Sequence, residues 1–146
     1  MTSRKTILIL GGGIGGIIAA TRLRHLLAAE HRVVLVEKEA DHVFAPSLLW
    51  LMLGERSPGQ ISRPIAALTK RGIELIRGSI ERIDPAARTI RVNGADIAGY
   101  YMIVALGAEL APELIPGLAE AGHNYYTLAG SQSLCSALPK LSKGRL

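Results

Sequence analysis

The chain has 146 residues, of which 49% are hydrophobic and 20% charged, so it can bury a core and is not a disordered segment. Its net charge of +5 would suit an anionic partner, but the basic residues are scattered and form no run interleaved with aromatic residues, which argues against a nucleic-acid partner. The single cysteine, Cys135, excludes an intrachain disulfide and a metal site built from several cysteines.

A glycine-rich turn follows the first predicted strand. Residues 6–10 form an apolar run typical of a buried strand, and helical spacing begins at Ile14. Gly11, Gly13 and Gly16 occupy the positions of a G-x-G-x-x-G motif. In that motif the first glycine allows a tight turn, the second allows a pyrophosphate to approach the backbone, and the third allows the helix to pack on the strand. Because helix amides would point back over this turn, we expect a phosphate there.

An acidic residue ends the second predicted strand. Apolar residues at helical spacing continue to Leu27, and the β-branched run 33–36 indicates a parallel strand buried on both faces. Glu37 follows this strand, about 20 residues after the glycine turn, where a carboxylate can bind the adenosine ribose hydroxyls and would repel the 2′-phosphate of NADP. The alternative interpretation is a solvated acid at a strand end. The order strand, turn, helix, strand favours ribose binding.

The middle of the chain changes from helical to strand periodicity. Short helices are predicted over residues 48–53 and 64–71, the second one stopped by Gly72. Residues 73–76, 79–83 and 89–92 alternate apolar and polar residues, and Asn93-Gly94 is a hairpin signal before a short strand at 95–97.

An apolar run at residues 101–105 is predicted to rejoin the buried parallel sheet and to end at Gly107, a second backbone turn toward the same ligand. A helix is predicted over 131–138, and residues 143–146 resemble a turn that enters a strand.

These elements predict an α/β fold: a Rossmann-like parallel sheet with a flanking β-meander, truncated. The predicted domains are residues 1–115 and a connector at 116–146 that begins a second nucleotide-binding domain.

The glycines at 11–16 would break a signal-peptide helix, and the apolar stretch 43–53 is too short to span a bilayer, which needs about 20 residues. No transmembrane segment is predicted, and neither is a metal site, because the four histidines share no ligand spacing.

Several motifs together resemble the two-dinucleotide-domain flavoprotein reductases of the pyridine nucleotide-disulfide oxidoreductase superfamily. The motifs are the glycine turn, Glu37-Lys38, the segment 44–50, the β-meander, the segment 103–108 and the segment 115–118. Within that superfamily, the Pro-Ser-Leu-Leu-Trp and Ala-Leu-Gly-Ala-Glu pieces look most like sulfide:quinone oxidoreductases and flavocytochrome c sulfide dehydrogenases. Type II NADH dehydrogenases are also similar.

The resemblance implies FAD as the cofactor and assigns residues to it. The pyrophosphate would lie on the turn formed by Gly11, Gly12, Gly13, Ile14, Gly15 and Gly16. Glu37 would bind the ribose, with Lys38 beside the adenine, the Ile80 backbone at the adenine ring, and Ala45, Pro46 and Gly107 approaching the cofactor. Leu106 stands where many relatives carry threonine, and Tyr100 where aspartate is common.

The resemblance also implies an activity for the intact enzyme: electrons would pass from sulfide through the flavin to a quinone. Family members are more than twice as long, so this chain is expected to supply the adenine half of the site and to be inactive alone. No catalytic residue is assigned, and Cys135 is interpreted as a packing residue with a redox role as the alternative.

Two other functions stay open at this point. One is a type II NADH:quinone dehydrogenase-like flavoprotein, and the other is a dinucleotide-binding module without catalysis. A chain of this length would expose a sheet edge, so a homodimer or a segment swap is expected. The expected location is cytoplasmic or peripheral to a membrane.

Overall fold

The structure, a computed structural model, describes residues 4–142. The chain divides into two units. The first runs to His42 and resumes from Pro64 to Gly107, and the second comprises Val43–Arg63 and the chain from Ala108 onward.

Within residues 4–142 the strands are β1 Thr6–Leu10, β2 Arg32–Glu37, β3 Asp41–Val43, β4 Ser62–Pro64, β5 Glu74–Arg77, β6 Ile80–Asp84, β7 Thr89–Val92, β8 Ala95–Ala98 and β9 Tyr101–Val104. The α-helices of the same range are α1 Ile14–Leu26, α2 Leu48–Met52, α3 Pro58–Ile61, α4 Leu118–Ala121 and α5 Leu128–Ala137. Short 3₁₀ helices cover Ala45–Ser47, Ile65–Arg71, Pro112–Leu114 and Leu138–Lys140.

The first unit is built on a parallel sheet with the strand order β5-β2-β1-β9. Strand β1 lies in its middle, and four of its five residues are buried. Ile7 and Ile9 belong to one apolar cluster with Ala20 of α1, whereas Leu8 and Leu10 belong to another with Ile90 of β7. Alternate side chains of β1 therefore fill both faces of the sheet, which explains why its sequence is apolar throughout.

Strands β6, β7 and β8 form an antiparallel meander in which Thr89↔Ala98 and Val92↔Ala95 are partners. Its hairpin turns at Asn93 and Gly94, with φ of 51° and 75°. Two successive residues at positive φ are what a tight hairpin with the right-handed twist of its strands requires, so the Asn-Gly prediction is confirmed. The predicted fold class, a Rossmann-like parallel sheet with a flanking meander, is confirmed as well.

One strand prediction is confirmed and one was wrong in part. Residues 73–76 are predicted as an alternating strand, and β5 lies there, paired in parallel with β2 from Val34↔Glu74 to Glu37↔Arg77. Strand β9 does join the parallel sheet, yet Tyr101 and Val104 are 56% and 59% exposed. The alternating pattern of β5 and the exposed residues of β9 follow from the position of these strands. They are the outer strands of the four described, and each has a neighbour on one side only.

The second unit has its own small core. Leu48 and Leu51 of α2 pack with Ile61 of α3, and Leu128 of α5 packs against this cluster. Helix α5 begins three residues before the predicted start at 131, because Thr127 caps it: the Thr127 side-chain oxygen accepts a hydrogen bond from the Gly130 amide at 3.0 Å. The prediction for residues 143–146 lies outside the described residues.

Candidate functional site

The glycine turn connects β1 to α1 through two positions that only glycine fits. Gly11 has φ of +100°, and a Cβ there would lie less than 3.0 Å from the carbonyl oxygen of Ala105, which follows β9. A Cβ on Gly16 would lie less than 3.0 Å from the carbonyl oxygen of Gly11. The first glycine therefore permits the turn and the third permits α1 to approach it, as the motif requires.

The middle of the turn is open. Gly13 is the N-cap residue of α1, is exposed, and would have no atom within 4 Å of an added Cβ. Ile14 and Gly15, which come next, are also exposed. The first amides of a helix have no partner within the helix and carry its partial positive charge. This space can therefore accept an anionic group.

Glu37 lies against the turn although it is 25 residues from Gly12 in sequence. One carboxylate oxygen, Oε2, accepts a hydrogen bond from the Gly12 amide, and the other, Oε1, accepts one from the Glu39 amide at 2.8 Å. A Cβ on Gly12 would approach the Glu37 side chain and Ile65 Cδ1 to 2.8 Å, so a larger residue there would push these side chains aside. A carboxylate can accept further hydrogen bonds from hydroxyl groups through its remaining lone pairs.

His42 is a contact that sequence reasoning missed. Its Nδ1 lies 3.1 Å from the Gly12 carbonyl oxygen, and the side chain is partly buried. From the sequence, the histidines were considered only as metal ligands, and no ligand spacing was found among them. The position of His42 five residues after Glu37, just beyond the end of β2, is the signal that could have placed it near the turn.

Gly11, Glu37 and Gly107 share one edge of the sheet. Gly11 follows β1, Glu37 ends β2, and Gly107 comes shortly after β9, and these strands are parallel neighbours. Gly107 has φ of 75° and would have no atom within 4 Å of an added Cβ. In open α/β sheets, ligands bind outside the carboxyl ends of the strands, and these three residues lie at the carboxyl ends of β1, β2 and β9.

The other predicted site residues are distributed differently. Lys38 is exposed, and its carbonyl oxygen accepts a hydrogen bond from Arg77 at 3.2 Å. Ile80 begins β6, pairs with Val92 and packs at the meander core. Ala45 and Pro46 are exposed in a 3₁₀ helix of the second unit. Their roles in binding stay predictions.

Comparison with known proteins gives the chain's family. An alternative NAD(P)H-ubiquinone oxidoreductase of Arabidopsis thaliana is 31% identical over 96% of this chain and 30% of its own length. The mitochondrial sulfide:quinone oxidoreductase of Mus musculus is 32% identical over 82% of this chain and 28% of its own length. The X-ray structure of the sulfide:quinone oxidoreductase from Aquifex aeolicus matches with a TM-score of 0.88 and 31% identity, covering 94% of this chain and 32% of that one.

The chain therefore spans less than a third of the length of the two sequence relatives. These relatives include proteins named for sulfide and proteins named for NAD(P)H, and both kinds are named for quinones. Residues 5–139 match the pyridine nucleotide-disulphide oxidoreductase family, so the chain belongs to that family.

Proposed function

We propose that this chain is the FAD-binding N-terminal portion of a flavin-dependent oxidoreductase that resembles sulfide:quinone oxidoreductase. In the intact enzyme, electrons would pass from sulfide to a quinone. The observation that carries the proposal is the juxtaposition of the Glu37 carboxylate with the Gly12 amide, beside the open start of α1. One edge of the sheet thus offers a group for a ribose and a group for phosphates.

The phosphate half of the proposal rests on the open turn. Gly13 and Gly15 present little but backbone to the space before α1, so an anionic group can approach the helix amides closely. Each charge-assisted hydrogen bond from a backbone amide is stronger than a neutral one. A pyrophosphate is the group that this geometry suits, because several amides follow one another along the turn.

The adenosine half rests on Glu37. A carboxylate at the end of β2 accepts hydrogen bonds from the 2′ and 3′ hydroxyls of a ribose, and the same negative charge repels a 2′-phosphate. FAD and NAD carry both hydroxyls, whereas NADP carries a phosphate on the 2′ oxygen. We therefore expect ligands with an ADP moiety and expect 2′-phosphorylated analogues to bind more weakly.

FAD, when bound, would supply the redox chemistry through its flavin ring. The residues of this chain would bind and orient the adenine half, and none of them is assigned to a chemical step. Cys135 lies on α5, is partly buried, and its Sγ is 3.7 Å from the position of a Cβ on Gly54. This environment favours a packing role for the Cys135 thiol over a reactive one, since a reactive thiol needs exposure and a positively charged neighbour.

A second candidate keeps the flavin and changes the donor to NADH. The similarity to an NAD(P)H-ubiquinone oxidoreductase over 96% of the chain supports this alternative as directly as the similarity to sulfide:quinone oxidoreductases supports the first. Both candidates share a quinone as acceptor.

Because quinones dissolve in lipid, we propose that the intact protein works at a membrane surface. Among residues 4–142, no helix has the length and apolar character to cross a bilayer.

We further propose that this chain self-associates through β9. The strand pairs only with β1 in the part of the chain that the structure describes, and its Tyr101 and Val104 are exposed. Beside it an open groove of about 470 Å³ is lined mainly by apolar side chains, including Leu23, Leu27 and Met102. Sedimentation velocity should give a dimer, and a monomer at micromolar concentration would contradict this proposal.

The function is tested by titrating the purified chain with FAD and following flavin fluorescence. We expect saturable binding that ADP displaces, with FMN, which lacks the adenine half, as a weak-binding control. We also expect no sulfide-dependent reduction of a soluble quinone by this chain alone. Absence of FAD and ADP binding would overturn the proposal, and quinone reduction by this chain would overturn the claim that it supplies only part of the site.

A further inference from the structure

We infer that His42 is a positioning residue: it orients the peptide between Gly12 and Gly13 so that the Gly13 amide faces the phosphates of the dinucleotide. The inference rests on the proposed function and goes beyond it, since it assigns a role to a side chain that need not touch the ligand. It follows from three features of the first unit.

The first feature is that both backbone polar groups of Gly12 are held by side chains. The Gly12 amide donates to Glu37 Oε2, and the Gly12 carbonyl oxygen lies 3.1 Å from His42 Nδ1. A carbonyl oxygen can only accept, so Nδ1 carries the proton in this hydrogen bond. We call Glu37, Gly12 and His42 the Gly12 clamp.

The second feature is the geometry of the next peptide. The peptide between Gly12 and Gly13 is trans and planar, so its carbonyl and its N–H point in opposite directions. Because the carbonyl points to the His42 ring, the Gly13 N–H points away from it. Gly13 is exposed and has open space around it. The hydrogen bond from His42 thus fixes the direction of an amide on the accessible side of the turn.

The third feature is that both residues flanking this peptide are glycines. Glycine populates regions of φ and ψ that other residues avoid, so a peptide between two glycines can rotate with little steric resistance. Rotation by half a turn would exchange the N–H for a carbonyl oxygen, which repels a phosphate. A partner on the carbonyl is therefore the means by which this turn stays in its anion-binding orientation.

The proposal predicts a selective defect. His42→Phe keeps an aromatic ring and removes the donor, and His42→Asn keeps a short N–H donor in place of the ring. Adenosine contains the ribose and adenine but no phosphate, whereas ADP contains all three. In His42→Phe the affinity for ADP should fall roughly tenfold, the upper range for one hydrogen bond, while the affinity for adenosine stays unchanged. His42→Asn should recover most of the loss.

The experiment is calorimetric or NMR titration of the wild-type chain and both variants with adenosine and with ADP. If the wild-type chain binds ADP no better than adenosine, the proposed function fails and the inference fails with it. If the wild-type chain gains affinity from the phosphates and His42→Phe keeps that gain, the inference alone is overturned.

An equal loss of adenosine and ADP affinity in His42→Phe would show a merely structural role and would also overturn the inference. If His42→Phe does not fold, His42→Leu, which also lacks a donor, takes its place under the same criteria. A folded His42→Asn that loses as much of the ratio of ADP to adenosine affinity as the donor-less variant contradicts the positioning role, because the restored donor is expected to recover it.

Discussion

Replacing Gly13 by alanine separates ligand binding from folding. The φ of −70° at Gly13 suits an L-residue, and an added Cβ would have no atom within 4 Å. Alanine restricts the unfolded chain, which stabilises by about 0.4–1 kcal/mol. It is also a poorer N-cap residue than glycine, which costs a similar amount. We therefore expect the free energy of unfolding to change by less than about 1 kcal/mol, or about 4 °C in Tm.

Ligand binding should respond differently to Gly13→Ala. If the pyrophosphate lies over this residue, a methyl group occupies space that the ligand needs, and crowding of this kind costs about 1–3 kcal/mol. That cost corresponds to roughly a 5- to 150-fold rise in Kd. The assay is ADP titration by calorimetry, paired with thermal unfolding followed by circular dichroism. Wild-type affinity in a folded Gly13→Ala variant would refute the placement of the pyrophosphate over this turn.

Gly16→Ala is the matched control, since it adds the same methyl group two residues into α1. There the Cβ would meet the backbone carbonyl of Gly11 at less than 3.0 Å, and backbone cannot give way as a side chain end can. We expect a loss of about 3 kcal/mol or more, the top of the range for overpacking, and a fall in Tm of more than about 10 °C. A Gly16→Ala chain as stable as wild type would contradict the close approach of helix and turn.

Three further substitutions test other contacts. Glu37→Gln should lower affinity for adenosine about tenfold and remove the preference over 2′-deoxyadenosine in competition titrations; an intact preference would contradict ribose binding. Arg24 donates to the carbonyls of residues 27, 28 and 31 at the end of α1, so Arg24→Met should lower the free energy of unfolding in urea by about 1–2 kcal/mol, and an unchanged midpoint would argue against this cap. Arg32 lowers the pKa of Glu74 below the ordinary value of a glutamate through a hydrogen bond, but both side chains are exposed, so the pair contributes at most about 1 kcal/mol. That contribution is present above the ordinary pKa of a glutamate and is lost as the pH falls through the lowered pKa, so Glu74→Gln should destabilise at pH 7 and not in strong acid. A difference that grows in acid would contradict this sign.

The first third of the fold could be predicted from local sequence. The apolar run before the glycine turn and the helical spacing after Ile14 depend on neighbours in the chain, and β1 and α1 begin where these patterns place them. The position of Glu37 beside the turn followed from the regular length of a strand-helix-strand unit, and the contact with Gly12 is observed.

The remaining features depend on partners that are distant in sequence. Whether Leu75 belongs to a meander or to a parallel sheet is decided by its pairing with Leu35 of β2, which no local pattern encodes. The exposure of Tyr101 reflects a missing neighbour within the described sheet, not the apolar character of its strand. The contact of His42 with Gly12 is made from β3, after the loop that follows β2, and hydrophobic periodicity carries no signal for such a contact.

The most direct test of the account is an NMR titration of the ¹⁵N-labelled chain with ADP. The central claim is that the turn from Gly11 to Gly16 binds the phosphates and that Glu37 binds the ribose. The account predicts that the largest shift changes fall on the amides of Gly12 to Gly16, with smaller changes at Glu37 and Gly107. Largest changes outside this edge of the sheet, or no change at millimolar ADP, would contradict it.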